Sequence, residues 1–239
     1  DVNYVKDRLI VSLISAERNV DFLKDKPYRM LEDLAIFYKV LISKDANGTG
    51  TITVTNNHME YWGLTEEQLY ETAIKNSNVL EPPSIDRLTN VMADLMRAQG
   101  MDEDIIENQL KEEDIDMYVI SNTTKANGAS VIVYSDALQQ VAENLGSDLY
   151  ILPSSIHEVL ALPVGNKDVD SLEEMVRCVN QTEVSPTEVL SDNVYKYDAE
   201  SRTLSLASAK AETVKETAVC EPSGYTGTVN EVARPRHHR

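Results

Sequence analysis

Cysteine is almost missing from these 239 residues: Cys178 and Cys220 are the two present. Two are too few for a disulfide framework. No stretch approaches eighteen consecutive apolar residues, which excludes a membrane-spanning helix. Glycine is sparse at nine, and no Gly-rich loop of the phosphate-cradling kind occurs, so no cofactor is expected. Positive charge is short as well: 22 Lys plus Arg face 40 Asp plus Glu, a net charge of −18. Such a surface repels phosphate backbones and anionic lipid, which disfavours direct nucleic-acid and membrane binding. No signal-peptide pattern opens the chain, and together with the scarce cysteines this predicts a reducing, cytoplasmic setting. The chain starts at Asp1 rather than Met, which leaves room for a missing upstream segment. What is present is an ordinary globular mixture, 42% apolar and 26% charged, long enough for one good core or two small ones.

Apolar periodicity predicts an amphipathic helix at the start, with Val2, Val5, Leu9, Leu13, Ala16 and Val20 on one stripe and an end before Pro27. Leu34 to Ile42 reads as a strand buried on both faces. Asn47-Gly48 then makes a tight reversal into the alternating Thr51–Thr55, a hairpin. Thr65 and Gln68 form a capping box for a helix that turns Leu69, Ala73 and Ile74 inward. Pro82-Pro83 breaks the chain, and Ser84 is expected to cap a helix carrying Ile85, Leu88, Val91, Met92, Leu95 and Met96 on one stripe. Residues 100–116, rich in Asp and Glu, read as a solvated, partly helical connector. Tyr118–Ile120 and Val131–Tyr134 read as a second hairpin around Asn127-Gly128. A helix with Leu138, Val141, Ala142 and Leu145 on one face then closes at Gly146.

Leu149–Leu152 is a strand, and Val159–Val164 its return partner. Ser171 with Glu174 is expected to cap a helix with Leu172, Met175, Val176 and Val179 inward, and Ser185, Pro186 and Glu188 to open a short one. Tyr195 and Tyr197 share a strand face, opposite Leu204 and Leu206. The fold class expected is α+β: a single domain over 1–206, a largely antiparallel sheet built from hairpins, and helices packed on it. Residues 207–239 hold too few large apolar side chains to offset their ordering entropy and read as a flexible tail.

Four stretches carry a resemblance: Leu31-Glu-Asp-Leu-Ala-Ile-Phe37, Asn57-His-Met-Glu-Tyr-Trp-Gly-Leu64, Leu152-Pro-Ser-Ser-Ile-His-Glu158, and Asn180-Gln-Thr-Glu-Val-Ser-Pro186 running on to Leu190-Ser-Asp-Asn-Val-Tyr195. Together they resemble a bacterial domain family of unknown function, common in anaerobic gut bacteria and often encoded on integrative mobile elements. The resemblance covers nearly 1–206 and implies an intracellular single-domain protein. It brings no catalytic residues with it.

Two clusters could carry chemistry. Ser154, Ser155, His157 and Glu158 sit where a buried strand leaves the sheet, and a serine nucleophile with His157 as its base is conceivable there. No Gly-x-Ser-x-Gly elbow accompanies them. Glu158 is badly placed to orient its neighbour, because adjacent strand residues face opposite sides. The competing reading is a structural turn, its serines and His157 spent on backbone groups. Asn56 and Asn57 precede His58 and Glu60, two apart and on one face of an extended chain, which could join His157 around a divalent metal. Its competitor is a helix cap. Cys178 reads as a small buried hydrophobe, Trp62 as core, and the Tyr195–Tyr197 pair as a half-buried strand face.

These residues lead to the expectation of a non-enzymatic interaction module with a protein partner, in one version an acidic antagonist of a DNA-binding enzyme. The antagonist version needs Asp102, Glu103, Asp104, Glu107, Glu112, Glu113 and Asp114 in a phosphate-like row. The rival is a hydrolase or metal-dependent enzyme at the Ser154–Glu158 turn and the His58/Glu60 corner. Oligomeric state is left open.

Overall fold

The computed structural model describes residues 2–45, 48–111 and 116–208. The opening segment departs from expectation. Helix α1 is short, Val2–Lys6, and strand β1, Leu9–Ser15, follows where a long helix was expected. Leu9, Leu13 and Val11 do face one side, but Ile10 and Ser12 are buried on the other. A run buried on both sides satisfies three- and four-residue spacing by accident, and its β-branched residues favour the strand.

After a 3-10 turn, α2 (Val20–Leu23) leads to β2 (Tyr28–Leu31), β3 (Leu34–Asp45) and β4 (Gly48–Thr53). β3 is the spine of the first sheet. β1 pairs along one side of it, while β2 and β4 share the other, β2 against Leu34–Phe37 and β4 against Lys39–Asp45. The predicted hairpin is therefore present, with Asp45 opposite Gly48; its tip at 46–47 lies outside the described residues. Helices α3 (Asn56–Trp62) and α4 (Glu66–Leu80) follow. The Thr65–Gln68 capping box forms as expected, both reciprocal bonds present, at a gain of about 1 kcal/mol. Leu69 and Ala73 are fully buried on α4, and the Ser77 hydroxyl accepts from the Val11 amide on the open edge of β1 (2.9 Å).

Pro83–Arg87 forms β5, so Ser84 lies in a strand and caps nothing; its hydroxyl bonds Asp86 at 2.7 Å. Helix α5 (Leu88–Ala98) comes one turn later than expected, and its stripe is partly uncovered, with Val91 37% and Leu95 61% exposed and Leu88, Met92 and Met96 half-buried. The acidic connector holds a helix, α6 (Glu103–Lys111), pinned by the buried Ile106. β6 (Tyr118–Asn122) is followed by a 3-10 turn and a single helical turn, α7 (Val131–Tyr134). The hairpin expected there is absent because both sides of β6 are already taken, by β5 and by β8.

α8 (Ala137–Leu145) ends at Gly146 in the left-handed region, φ 63°, as its sequence predicts. β7 (Leu149–Ser155) and β8 (Glu158–Pro163) pair as expected. α9 (Val169–Thr182) is capped by Asp168 rather than Ser171, whose amide donates to it at 3.0 Å. Leu172 and Val176 are buried on α9, whereas Met175 and Val179 are exposed. Pro186–Glu188 makes a turn and no helix. β9 (Tyr195–Asp198) and β10 (Thr203–Leu206) complete a second sheet of order β10-β9-β7-β8-β6-β5. Every strand pair among the described residues is antiparallel.

The main core joins one face of each sheet through α4, α7 and α8. The other face of the second sheet packs Tyr150, Leu152 and Leu162 against Leu172 and Val176 of α9. The fold is mixed α+β with antiparallel sheets, as expected. No helix among the described residues is long and apolar enough to cross a membrane. The tail beyond Ser208, with Cys220 in it, lies outside them.

Candidate functional site

His157 is held from both sides of its ring. Its Nδ1 accepts from the Asn127 amide (3.2 Å), and its Nε2 lies 3.4 Å from Glu188 Oε1. Because Nδ1 accepts, the neutral ring carries its proton on Nε2, toward the glutamate. Ser155 Oγ accepts from the backbone amide of His157 (3.0 Å), not from its ring. The two side chains therefore do not form a nucleophile–base pair. The Ser154 side chain lies outside the described part. Glu158 points away from the ring and lines a shallow hollow with Asp86, Asn90 and Lys125.

The second cluster is helical rather than extended. His58 is the third residue of α3, and its Nδ1 accepts from the Thr55 amide (3.2 Å) while the Thr55 hydroxyl accepts from the His58 amide (3.3 Å). Its ring stacks on Trp62 with centroids 5.3 Å apart. Two residues further round a helix, Glu60 faces elsewhere and is exposed. Asn56 and Asn57 are exposed at the same helix start, where the Asn56 amide donates to the Asp25 carbonyl (2.8 Å). No partner is shared between His58 and His157, and among the described residues no three His, Cys, Asp or Glu side chains gather as metal ligands. Of the acidic row, Glu103 pairs with Arg97 (2.5 Å) and Glu107 with Lys111 (3.1 Å). Glu112, Glu113 and Asp114 lie outside the described residues. Cys178 is half-buried rather than sealed in the core.

What His157 holds matters more. The segment from Asn122 to Ser130 leaves β6, passes two residues with positive φ, Lys125 (56°) and Asn127 (52°), and enters α7. Left-handed backbone at non-glycine residues is costly and persists only where bonds enforce it. They do so here. Asn122 Nδ2 donates to the Ala126 carbonyl (2.8 Å), its Oδ1 accepts from the Ala126 amide (3.3 Å), and Ser130 Oγ donates to the Asn127 carbonyl (2.9 Å). The loop faces the edge of β1 and the outer half of the β3–β4 hairpin across a cleft of about 470 Å³. That is room for a metabolite-sized molecule.

Inside this cleft sits a carboxylate that is 8% exposed, Glu81, at the end of α4. Lys44 Nζ reaches its Oε1 at 3.2 Å, and Asn122 Nδ2 (3.0 Å) and the Thr124 hydroxyl (3.3 Å) donate to its Oε2. Tyr134 donates its hydroxyl to the Glu81 carbonyl at 2.6 Å. Lys39, from the middle of β3, also lines the cleft. Burial pushes its ammonium below the ordinary lysine range, and the Glu81 charge opposes this only in part. Sequence reading overlooked this site, although a signal was there. Lys39 and Ser12 are polar residues inside Leu34–Ile42 and Leu9–Ile14, two runs otherwise apolar enough to be buried on both faces.

The family model described as "Family of unknown function (DUF5688)" matches residues 1–199. The chain belongs to this family. That agrees with the resemblance to a domain family of unknown function drawn from its motifs. No curated protein and no solved structure matches the chain. Within the DUF5688 span, the motif residues turn out to be joints. Asp33 of the first motif binds Ser191, Asn193 and Tyr195 of the last, and Asn180 donates to the Ser191 carbonyl (2.9 Å).

Replacing His157 by alanine is expected to lower stability by about 1–2 kcal/mol, the cost of an unpartnered, partly buried amide at Asn127. Amide exchange should quicken at Asn127 by more than at β6, which thermal melts and hydrogen exchange on the same sample would show.

Proposed function

We propose that the protein is a binding module without a reaction of its own, and that it holds a small polar molecule in the cleft between the first sheet and the Asn122–Ser130 loop. The observation that carries this is the division of labour among polar groups. The side chains that could attack or take a proton, Ser155, His157 and His58, are spent on backbone amides of the scaffold. The cleft, by contrast, is walled by a loop held in costly backbone and by a carboxylate network that fixes the wall's shape. Pre-formed, rigid polar walls around a concave space are what small-molecule recognition requires. This keeps the binding role expected from sequence and puts a small ligand where a protein partner was expected.

Thr51 lines the open side of the cleft on β4 and is exposed, so Thr51→Trp fills the space without entering the core. A thermal-shift screen of metabolite-like compounds is expected to find ligands that raise the melting temperature of the native chain and leave Thr51→Trp unmoved. Shifts that persist undiminished in the filled variant would refute the assignment. So would turnover of ester or phosphoester substrates that His157→Ala abolishes.

A further inference from the structure

Two polar side chains in the cleft have no hydrogen-bond or ion-pair partner among the described residues. Lys39 lies opposite Ile10 in the β1–β3 register, and Ser12 lies opposite Phe37. All four share the face of the sheet turned away from the main core, since Leu9, Val11, Ile36 and Tyr38 occupy the other. Lys39 Nζ lies over the Phe37 ring, 5.2 Å from its centroid, so the ammonium leans along the sheet toward the Ser12–Phe37 row. Lys44 and Lys39 are therefore not equivalent. Lys44 is neutralised by Glu81, whose second oxygen is taken by Asn122 and Thr124. Lys39 has neither a hydrogen bond nor an ion pair among the described residues. Ser12 is 2% exposed, lines the cleft, and likewise has no partner for its hydroxyl there.

The Ser12 oxygen stays open to the cleft, since Asn180 Oδ1 alone among the described side-chain atoms is sealed without a partner, and an ammonium that loses water without gaining an anion is costly. Folding retains both on the same side of the sheet, where the cleft reaches them. Their charges and donors describe what is missing. Two cations against one carboxylate leave the cleft locally positive on a chain of net charge −18. Resting on the binding-module reading above, we propose that the cleft takes a small organic anion and seats its carboxylate or phosphate oxygens against Lys39 Nζ and Ser12 Oγ. The Lys44–Glu81–Asn122 network acts as the fixed wall, and His157, which touches no ligand, holds the loop that carries Asn122 and Asn127.

The experiment uses the full chain and simple probes: sodium phosphate, sodium acetate, sodium chloride at matched ionic strength, and glycerol. Phosphate or acetate is expected to raise the melting temperature in proportion to the logarithm of its concentration, with chloride inert. Lys39→Met should abolish that response and, without any anion, melt higher than the parent chain, because an unpaired half-buried charge is replaced by an apolar side chain of similar length. Ser12→Ala should weaken anion binding about tenfold, the worth of one hydrogen bond to a charged group, while still melting cooperatively. A response to phosphate but not acetate assigns the phosphate source, and the reverse assigns the carboxylate.

Three results would overturn the proposal: both anions behaving like chloride, an undiminished response in Lys39→Met, or a lower melting point for Lys39→Met than for the parent, which would make Lys39 a structural partner of Glu81. If anions fail but glycerol stabilises the native chain and not Thr51→Trp, the anion class falls and the binding-module reading stands.

Discussion

Alanine at position 128 is expected to destabilise the fold by about 3 kcal/mol, at the upper end for an overpacked site. A Cβ there would meet the Asn122 amide nitrogen and the His157 carbonyl oxygen, each at 2.6 Å, as well as the Ser121 hydroxyl. Two of the three are main-chain atoms, one at the end of β6 and one in the turn between β7 and β8, and cannot swing aside. The position needs glycine for close approach, since its φ is not among the positive ones. Relief would require the Asn122–Ser130 loop to lift off β6. That movement breaks the Ala129 amide bond to the Ile156 carbonyl (3.1 Å) and the Asn127 bond to His157. Urea denaturation should show the loss, with a melting point lower by about 6–12 °C for a domain of this size. The Gly128→Ala, Ser121→Ala double variant should remain nearly as unstable as the single one, because truncating the serine leaves both backbone contacts. Near-complete rescue by Ser121→Ala would show that the loop does not lie against β6 as closely as described. Loss of the loop should also remove the ligand response of the cleft, linking the same glycine to function.

The parts legible in the sequence share a cause: local chemistry that admits one answer. Thr65 with Gln68, Gly146 after Leu145, and the alternation at Tyr195 and Tyr197 each specify their element within a few residues, and the structure contains all three. The failures share a cause too. Leu9–Ser15 matches a helical stripe, and only pairing with β3 makes it a strand. Val131–Tyr134 has the composition of a strand, but β6 has no free edge to receive it. Ser84 looks like a cap and instead faces Ser121 across a ladder. In each case a long-range partner overrode a local preference.

The cleft was hidden for the same reason. Its walls come from β1, β3, β4, the end of α4 and the loop after β6, spread over 120 positions from Ile10 to Ser130, and no short motif spans them. Ser155-Ile156-His157 was conspicuous because its polar residues are adjacent in sequence, and the structure shows them bracing the loop behind the cleft. The visible motif and the inferred site are one assembly seen from two sides.

Asp33→Ala is expected to cost about 4 kcal/mol, because one carboxylate serves three donors from a segment nearly 160 residues away. Its Oδ2 accepts from the Ser191 hydroxyl (2.6 Å) and Asn193 Nδ2 (3.1 Å), and its Oδ1 from the Tyr195 hydroxyl (2.5 Å). Asp33 sits in the turn joining β2 to β3, and Tyr195 is fully buried on β9, so this cluster fastens the first sheet to the second. Removing the acceptor leaves the phenol of a fully buried tyrosine without its hydrogen bond. Removing the phenol as well should recover part of the loss, so the Asp33→Ala, Tyr195→Phe pair is expected to be more stable than the two single costs summed. Additive costs in urea denaturation would mean that the two groups do not depend on each other.

The pair also sets an alkaline limit. Burial first, then the Asp33 charge and hydrogen bond, hold the Tyr195 hydroxyl protonated well above its ordinary 10.0. The unfolded chain releases that proton near pH 10, whereas the folded one keeps it. This share of stability is therefore constant below pH 10 and declines as pH rises beyond it. Tyr195→Phe should flatten that decline, and an unchanged alkaline slope in the variant would place the loss on other buried tyrosines, Tyr38 and Tyr134, whose hydroxyls burial also raises.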